Sequence, residues 1–238
     1  MKNIERGLPQ ALLDCPKFTG FRNGASHAPL GRDEIVADCI VEINGNNFGS
    51  QSGQFDPPVP VADGISAEFS ALQPVVASTA ALIYATSPNQ IVCVIPGAVF
   101  GSNVYLLDLN IPHQGPLPCP LIEGKGQLTA AAPGLFTEDG SGLGPGMFST
   151  FPDGAPQPIE TESGLVQVLG TGLRHAPSLP TALVDGSSVT VSACAPDPAR
   201  PGYDRLIFQL PASLTAGTHQ FQVIADGKSS NVIELQLK

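Results

Sequence analysis

The sequence predicts an all-β chain built as two tandem β-sandwich domains, and three observations carry that expectation. The first is composition: 24 prolines and 26 glycines stand against a charged fraction of only 13%. Each proline removes a backbone donor and clashes with the preceding helical turn, so long helices have little room. With 42% hydrophobic residues a real core is available, and short apolar runs punctuated by Pro and Gly belong to sandwiches or barrels. The second observation is an internal repeat of domain length. The third is that apolar and polar residues alternate at the same parity in both copies.

The repeat runs through two pairs of segments. Val41 opens VEINGNNF and Val166 opens VQVLGTGL, 125 residues apart. Ile91 opens IVCVIPGAVFGSNVYLLDL and Leu206 opens LIFQLPASLTAGTHQFQVI, with Pro96 and Pro211 standing 115 residues apart. Each of the longer segments reads as a strand, a proline-marked turn of small residues and a second strand. The differing offsets imply unequal loops between matched strands. Repetition at this length means two copies of one fold, because solenoid repeats run about 20–50 residues.

Successive side chains on a strand point to opposite faces. Cys39, Val41 and Ile43 therefore share the inner face of the first copy with Ile91, Cys93 and Ile95. Val166, Val168, Leu206, Phe208 and Leu210 do the same in the second, joined by Phe221 and Val223. Glu42, Gln167 and Gln209 take the intervening positions, as in antiparallel sheets wetted on one side. The closing SNVIELQLK directs Ile233, Leu235 and Leu237 inward and reads as a strand running to Lys238.

These elements divide the chain into an N-terminal arm (1–17), a first sandwich (18–127) and a second (128–238). The join, NIPHQGPLPCPLIEGKGQL, carries prolines that favour an extended, stiff connection. Residues 1–17, 49–64 and 110–126 fall outside the repeat and are expected to be arm and loops facing partners, since loops carry binding function on a repeated scaffold.

Eleven Lys and Arg against 21 Asp and Glu give a net charge of −10. Phosphate backbones are held by clustered cations, so nucleic acid is not an expected partner, and a polybasic membrane patch fails for the same reason. No apolar run approaches the ~20 residues of a membrane span. The opening MKNIERGLPQALLDCPKF lacks the apolar core of about 7–15 residues that a secretory signal needs. Asp14 stands where a lipoprotein cleavage site wants a small residue. The sequence ends on its last strand, so any surface attachment is expected to be noncovalent.

FTGFRNGASHAPL, VEINGNNFG, ALIYATSPNQIVCVIPGAV, AAPGLFTEDGSGLGPG and PASLTAGTHQFQVIADGKSSNVIELQLK follow one another along the chain. In that order they resemble the Solibacter-type uncharacterised C-terminal domain family, found in secreted acidobacterial proteins and related in style to IPT/TIG immunoglobulin-like modules. The resemblance covers nearly all of residues 18–238, and its last segment is the most specific. Residues 49–75 depart from the pattern, with SQSGQFDPPVP replacing a short connection. The resemblance implies two tandem immunoglobulin-like β-sandwich domains and an extracellular or cell-surface setting. It supplies no catalytic residues.

AAPGLFTEDGSGLGPG, residues 131–146, is the densest glycine stretch. A phosphate loop needs a strand before it and a helix N-terminus after it, whereas MFSTFPDGAPQPIE follows Gly146. A calcium loop wants oxygen ligands at alternating positions, and here Glu138 and Asp139 are adjacent with Ser141 beyond. The stretch reads as a short strand, GLFT, and a glycine-rich turn. The four histidines, His27, His113, His175 and His219, show no metal-ligand spacing. His219 is expected to be a strand-start residue with a local hydrogen bond. No Gly-x-Ser-x-Gly elbow surrounds Ser141.

The five cysteines are Cys15, Cys39, Cys93, Cys119 and Cys194. Cys39 and Cys93 read as buried thiols acting as small hydrophobes, with a bridge between them the alternative. Pairing among the five stays open. No catalytic, cofactor-binding or metal residue is assigned, and no cofactor is expected.

The functional reading is a non-enzymatic structural or adhesive protein, a surface or extracellular assembly component acting through loops, arm or sheet edges. Its partner would be a protein, another copy of the chain, or a surface polysaccharide. A carbohydrate-binding module is the alternative, although the chain has no Trp and only Tyr84, Tyr105 and Tyr203 among tyrosines. An enzyme with a spatially assembled site is the other.

Overall fold

The structure, a computed structural model, describes residues 15–31, 33–49, 52–72, 75–101, 105–112, 122–152, 154–162 and 164–238. The first half forms β1 (Lys17–Asn23), β2 (Pro29–Leu30), β3 (Ile40–Asn46), β4 (Gly53–Val59), β5 (Ser66–Leu72), β6 (Val75–Ala80), β7 (Leu82–Ser87), β8 (Gln90–Val94), β9 (Tyr105–Asn110) and β10 (Ile122–Gly126). The second forms β11 (Gly134–Leu135), β12 (Phe148–Thr150), β13 (Leu165–Thr171), β14 (Thr181–Val184), β15 (Ser187–Val189), β16 (Val191–Pro196), β17 (Asp204–Gln209), β18 (Gly217–Ala225), β19 (Lys228–Ser229) and β20 (Ile233–Leu237). A 3-10 turn, Gly97–Val99, follows β8.

Strands β2-β1-β3-β8-β7-β4 make one sheet of the first sandwich and β10-β9-β5-β6 the other. In the second, β11-β13-β17-β16 carries β12 on β13, and faces β15-β14-β18-β19 with β20 on β18. Among the described residues the fold is thus all-β apart from that turn, in two tandem β-sandwiches.

The repeat legible in the sequence is also a repeat of register. Val41 lies opposite Cys93 and Ile43 opposite Ile91. At the matched positions Val166 lies opposite Phe208 and Val168 opposite Leu206. All eight are buried. One slip separates the copies. Laying the quoted segments end to end sets Leu106 on Phe221, but the buried side chains are Tyr105, Leu107 and Leu109 against Phe221, Val223 and Ala225. Tyr105 follows Ile91 by 14 positions and Phe221 follows Leu206 by 15, so the outgoing strand of the second copy is shifted by one and keeps its apolar face inward; without that shift the whole set would be exposed.

Each sandwich has its own core. The first is centred on Phe21, Phe48, Phe69 and Tyr105 with the β3 and β8 residues, and Cys39 and Cys93 lie within it as free thiols. The second is centred on Phe148, Phe208 and Phe221, with Ile233, Leu235 and Leu237 of β20 buried as their alternation requires. Phe148 meets Phe221 edge-on at 5.1 Å, and Phe208 meets Phe221 at 4.8 Å. Cys15 is disulfide-bonded, Cys194 is free and half-buried, and Cys119 lies outside the described residues.

Two expectations need correction. Of the expected loop 49–64, residues Gly53–Val59 form β4, an edge strand on β7. Pro57 and Pro58 suggested a loop, but an edge strand tolerates residues without N–H donors, and the pairing is irregular between Gln54 and Val59. Likewise Ile122–Gly126, expected in a loop, form β10 on β9. Residues 1–14 and 113–121 lie outside the described residues. The second correction is Glu42, placed on a wetted face by parity yet buried. His27, from the turn after β1, covers it.

Candidate functional site

The strongest structural feature outside the two cores is the place where the sandwiches meet. Backbone and side chain are interleaved there. The Ile40 N–H donates to the Thr171 hydroxyl oxygen at 2.8 Å, and that hydroxyl donates to the Gly202 carbonyl at 2.7 Å. The buried Asn23 amide accepts from the Ala25 and Ser26 N–H groups and donates to the Ala132 carbonyl at 2.8 Å. This approach demands glycine at two positions. A Cβ on Gly134 would lie 2.0 Å from Asn23 Oδ1. One on Gly202, at φ +80, would lie 2.6 Å from Ile40 Cγ1. Around these contacts Ala25, Ile40, Val94 and Phe136 form a third apolar cluster, flanked by Tyr84 and Tyr203.

Ionisable groups reinforce the same junction. Asp204, fully buried at the start of β17, accepts from the Leu173 N–H at 2.8 Å and from the Arg174 Nε. Burial pushes its carboxyl above the usual range, and the Arg174 charge opposes that rise. This pair fixes the loop after β13, from which His175 reaches Asp38 of the first sandwich at 3.0 Å and stacks on Phe100 at 4.0 Å. His27 makes the reverse crossing. Its Nδ1 lies 2.5 Å from Glu42 Oε1 and its Nε2 lies 2.7 Å from the Gly140 carbonyl of the second sandwich. Burial lowers the imidazole pKa, but the Gly140 carbonyl and the Glu42 charge outweigh it and hold the group above its ordinary value. Both acceptors are satisfied together only by the imidazolium, which donates from both nitrogens.

Between β4, β7 and the segment leading into β17 the junction opens into a cleft of about 330 Å³. Phe55 and Tyr84 line it from the first sandwich, Tyr203 and Phe136 from the second, with Gln54, Asp56 and Arg200 among its polar residues. Tyr84 and Tyr203 meet edge-on at 6.1 Å, and Phe136 stacks on Tyr203 at 4.3 Å. The Tyr84 hydroxyl donates to the Pro201 carbonyl at 2.8 Å, and burial raises its pKa. The Arg200 guanidinium lies 5.6 Å from the Tyr203 ring centroid.

The features singled out in the sequence fall elsewhere or into supporting roles. The glycine-rich stretch is a turn: Gly140, Gly142 and Gly144 all have positive φ, and Thr137 bridges to Gly146. Its Ser141 hydroxyl donates to the Leu143 carbonyl. His219 sits on β18 with its ring bonded to Asp185 at 2.7 Å and to the Thr215 carbonyl at 2.9 Å. His113 lies outside the described residues. The thiols of Cys39 and Cys93 are pushed up to about 12 by burial, which leaves them unreactive. Among the described residues no group of three or more His, Cys, Asp or Glu is placed to hold a metal ion, and no helix is long and apolar enough to cross a membrane. Sequence reasoning missed the junction because the hydrogen bonds that cross it join residues more than a hundred positions apart, several of them through backbone carbonyls, which leave no periodic trace.

No protein-family model and no curated protein matches the chain. Solved structures do. The BSP domain of a biofilm associated protein is 12% identical with a TM-score of 0.30, covering 93% of this chain and 29% of that one. The titin I-band fragment I67–I69 is 12% identical with a TM-score of 0.25, covering 94% of this chain and 65% of that one. DIP-gamma IG1+IG2 is 10% identical with a TM-score of 0.27, over 94% of this chain and 98% of that one. The chain thus spans less than two thirds of the first two. At these identities and TM-scores none of the likenesses bears on what this chain does.

Proposed function

We propose that this chain is a non-enzymatic structural or adhesive component of a surface or extracellular assembly, working as a stiff two-domain strut. The observation that supports it most is the junction. Two sandwiches joined only by a linker would swivel, whereas here a buried Thr171–Ile40–Gly202 relay, an Asn23 clamp and an apolar cluster join them. An interface of that kind departs from the mobile interdomain contacts that are the usual expectation within a chain. The modules of the strut are residues 18–127 and 128–238, with residues 1–17 as an arm that engages a protein partner or a second copy. Membership of the Solibacter-type family, and the surface setting that goes with it, are part of the same proposal.

Small-angle scattering of the full chain, combined with sedimentation over a range of concentrations, tests the reading. A single interdomain orientation, together with reversible association or binding to a surface polymer, is the expected result. A broad distribution of orientations would remove the strut.

A further inference from the structure

We propose that the cleft at the domain junction binds a neutral pyranose ring, as the terminal or internal unit of a polysaccharide. The chain holds only three tyrosines and no tryptophan, yet two of the three tyrosines meet in this one cleft together with Phe55 and Phe136. Phe55, Tyr84 and Tyr203 remain partly exposed there, so apolar ring surface stays open to an incoming group. Around them stand Gln54, Asp56 and Arg200, whose side chains form no hydrogen bond or ion pair with the described residues. Aromatic faces with a few polar groups converging on them are how a site holds a ring that is apolar on one face and hydroxylated at its edge. Sugar hydroxyls both donate and accept, which suits an acceptor (Asp56), a donor (Arg200) and an amide that is both (Gln54).

A neighbouring recess extends the cleft. It shares Gln54 and Ala85 with the cleft and continues past Ser87 and Gln90 to about 420 Å³. Thr86 belongs to its lining, and the buried Thr86 hydroxyl has no hydrogen-bond partner among the described residues. Leaving a buried donor without a partner is unfavourable, and a further sugar unit brings hydroxyls to its neighbourhood.

Other occupants fit less well. A net charge of −10 repels acidic polymers, and one exposed arginine is too little for a phosphate. A peptide strand added to the β4 edge would meet Pro57 and Pro58, which have no N–H to offer.

The proposal deepens the adhesive part of the reading above, and it needs the junction to be fixed. Tyrosine-selective NMR of the full chain tests it, because Tyr105 is fully buried and leaves Tyr84 and Tyr203 as the reporters. Cellobiose, lactose, maltose and mannobiose are the probes, with galacturonate oligomers as the acidic counterpart. At least one neutral disaccharide is expected to shift both tyrosine signals saturably. Phe55→Ala and Arg200→Ala are each expected to weaken that binding about tenfold or more, and Arg200, exposed and outside both cores, keeps the test independent of folding. Silence from every neutral probe overturns the site, as does binding that both variants leave unchanged. A preference for the galacturonate oligomers overturns the assigned class. Scattering on the same variants reports the strut separately: a straight molecule that binds no sugar leaves the strut standing and removes only the cleft.

Discussion

The two sandwiches share a backbone register, yet at two matched pairs they make opposite choices of side-chain size. Opposite Val41 in the first lies Cys93, while opposite Val166 in the second lies Phe208. On the facing sheet the order reverses: Phe69 pairs with Leu107 in the first, where Ala182 pairs with Val223 in the second. At these positions the smaller residue on one sheet goes with a larger residue on the facing sheet of the same sandwich. What the repeat preserves at these positions is parity, not residue identity or size. That also explains why the copies look so different in sequence.

The largest way to break this pairing is at the end of the second copy. Deleting residues 231–238 removes Ile233, Leu235 and Leu237 from one core and the Asn231 side chain that bonds the Leu135 and Gly142 carbonyls. At about 1.5–3 kcal/mol for each apolar side chain, the loss rivals the whole stability of a domain, about 5–15 kcal/mol. Calorimetry should show the cooperative transition of the second sandwich gone and that of the first retained. A normal second transition would mean that β20 is dispensable.

The matched pair Phe208 and Cys93 sharpens the comparison. Phe208→Ala empties a three-ring cluster and should cost about 3–5 kcal/mol. Cys93→Ala removes one buried sulfur and should cost about 1 kcal/mol. Equal losses in denaturant titrations would show that the difference in size at this pair carries no energetic weight.

The cores were legible in the sequence because strand parity is a two-residue signal. Val41, Ile43, Phe208, Phe221 and the β20 residues follow from alternation alone. β4 was not legible, since Pro57 and Pro58 carry the signature of a loop and only the sheet's edge makes room for them. Glu42 was misread because parity says which face a side chain takes and not what covers that face; its cover, His27, comes from a turn at positive φ. The junction cleft left no trace either. Phe55, Tyr84, Phe136 and Tyr203 are scattered singly along the chain, and folding alone gathers them.

Glycines at the junction and away from it give a smaller contrast. Gly202 and Gly186 have nearly the same backbone, φ +80 and +78, but a Cβ on Gly186 meets nothing within 4 Å while one on Gly202 strikes Ile40 and Val94. Gly186→Ala should cost about 1–2 kcal/mol, the strain of a left-handed conformation. Gly202→Ala adds overpacking worth about 1–3 kcal/mol and should also broaden the interdomain orientation seen by scattering. Indistinguishable variants would show that the sandwiches give way at this contact.

The smallest expected effect separates His27, which crosses the junction, from His219, which stays within the second sandwich. Both imidazoles are held above their ordinary pKa, His27 against burial by the Gly140 carbonyl and Glu42, and His219 chiefly by its hydrogen bond to Asp185. A group whose folded pKa is raised stabilises the fold fully below its unfolded pKa, about 6.5, and that contribution disappears as pH rises through the folded value. Stability should therefore fall modestly above about pH 6.5, and from two separable sources. Because both pairs are partly exposed, solvent screening limits each to about 0.2–1 kcal/mol. His27→Gln should remove the part of the pH dependence that appears in interdomain orientation, because Gly140 belongs to the other sandwich and the neutral ring can donate to only one of its two acceptors. His219→Gln should remove only the part seen in the melting of the second sandwich. Thermal melts and scattering at pH 5.5 and 8 on the two variants decide it. An interdomain orientation that responds to His219→Gln, or ignores His27→Gln, would show that the crossing imidazole carries no part of the coupling.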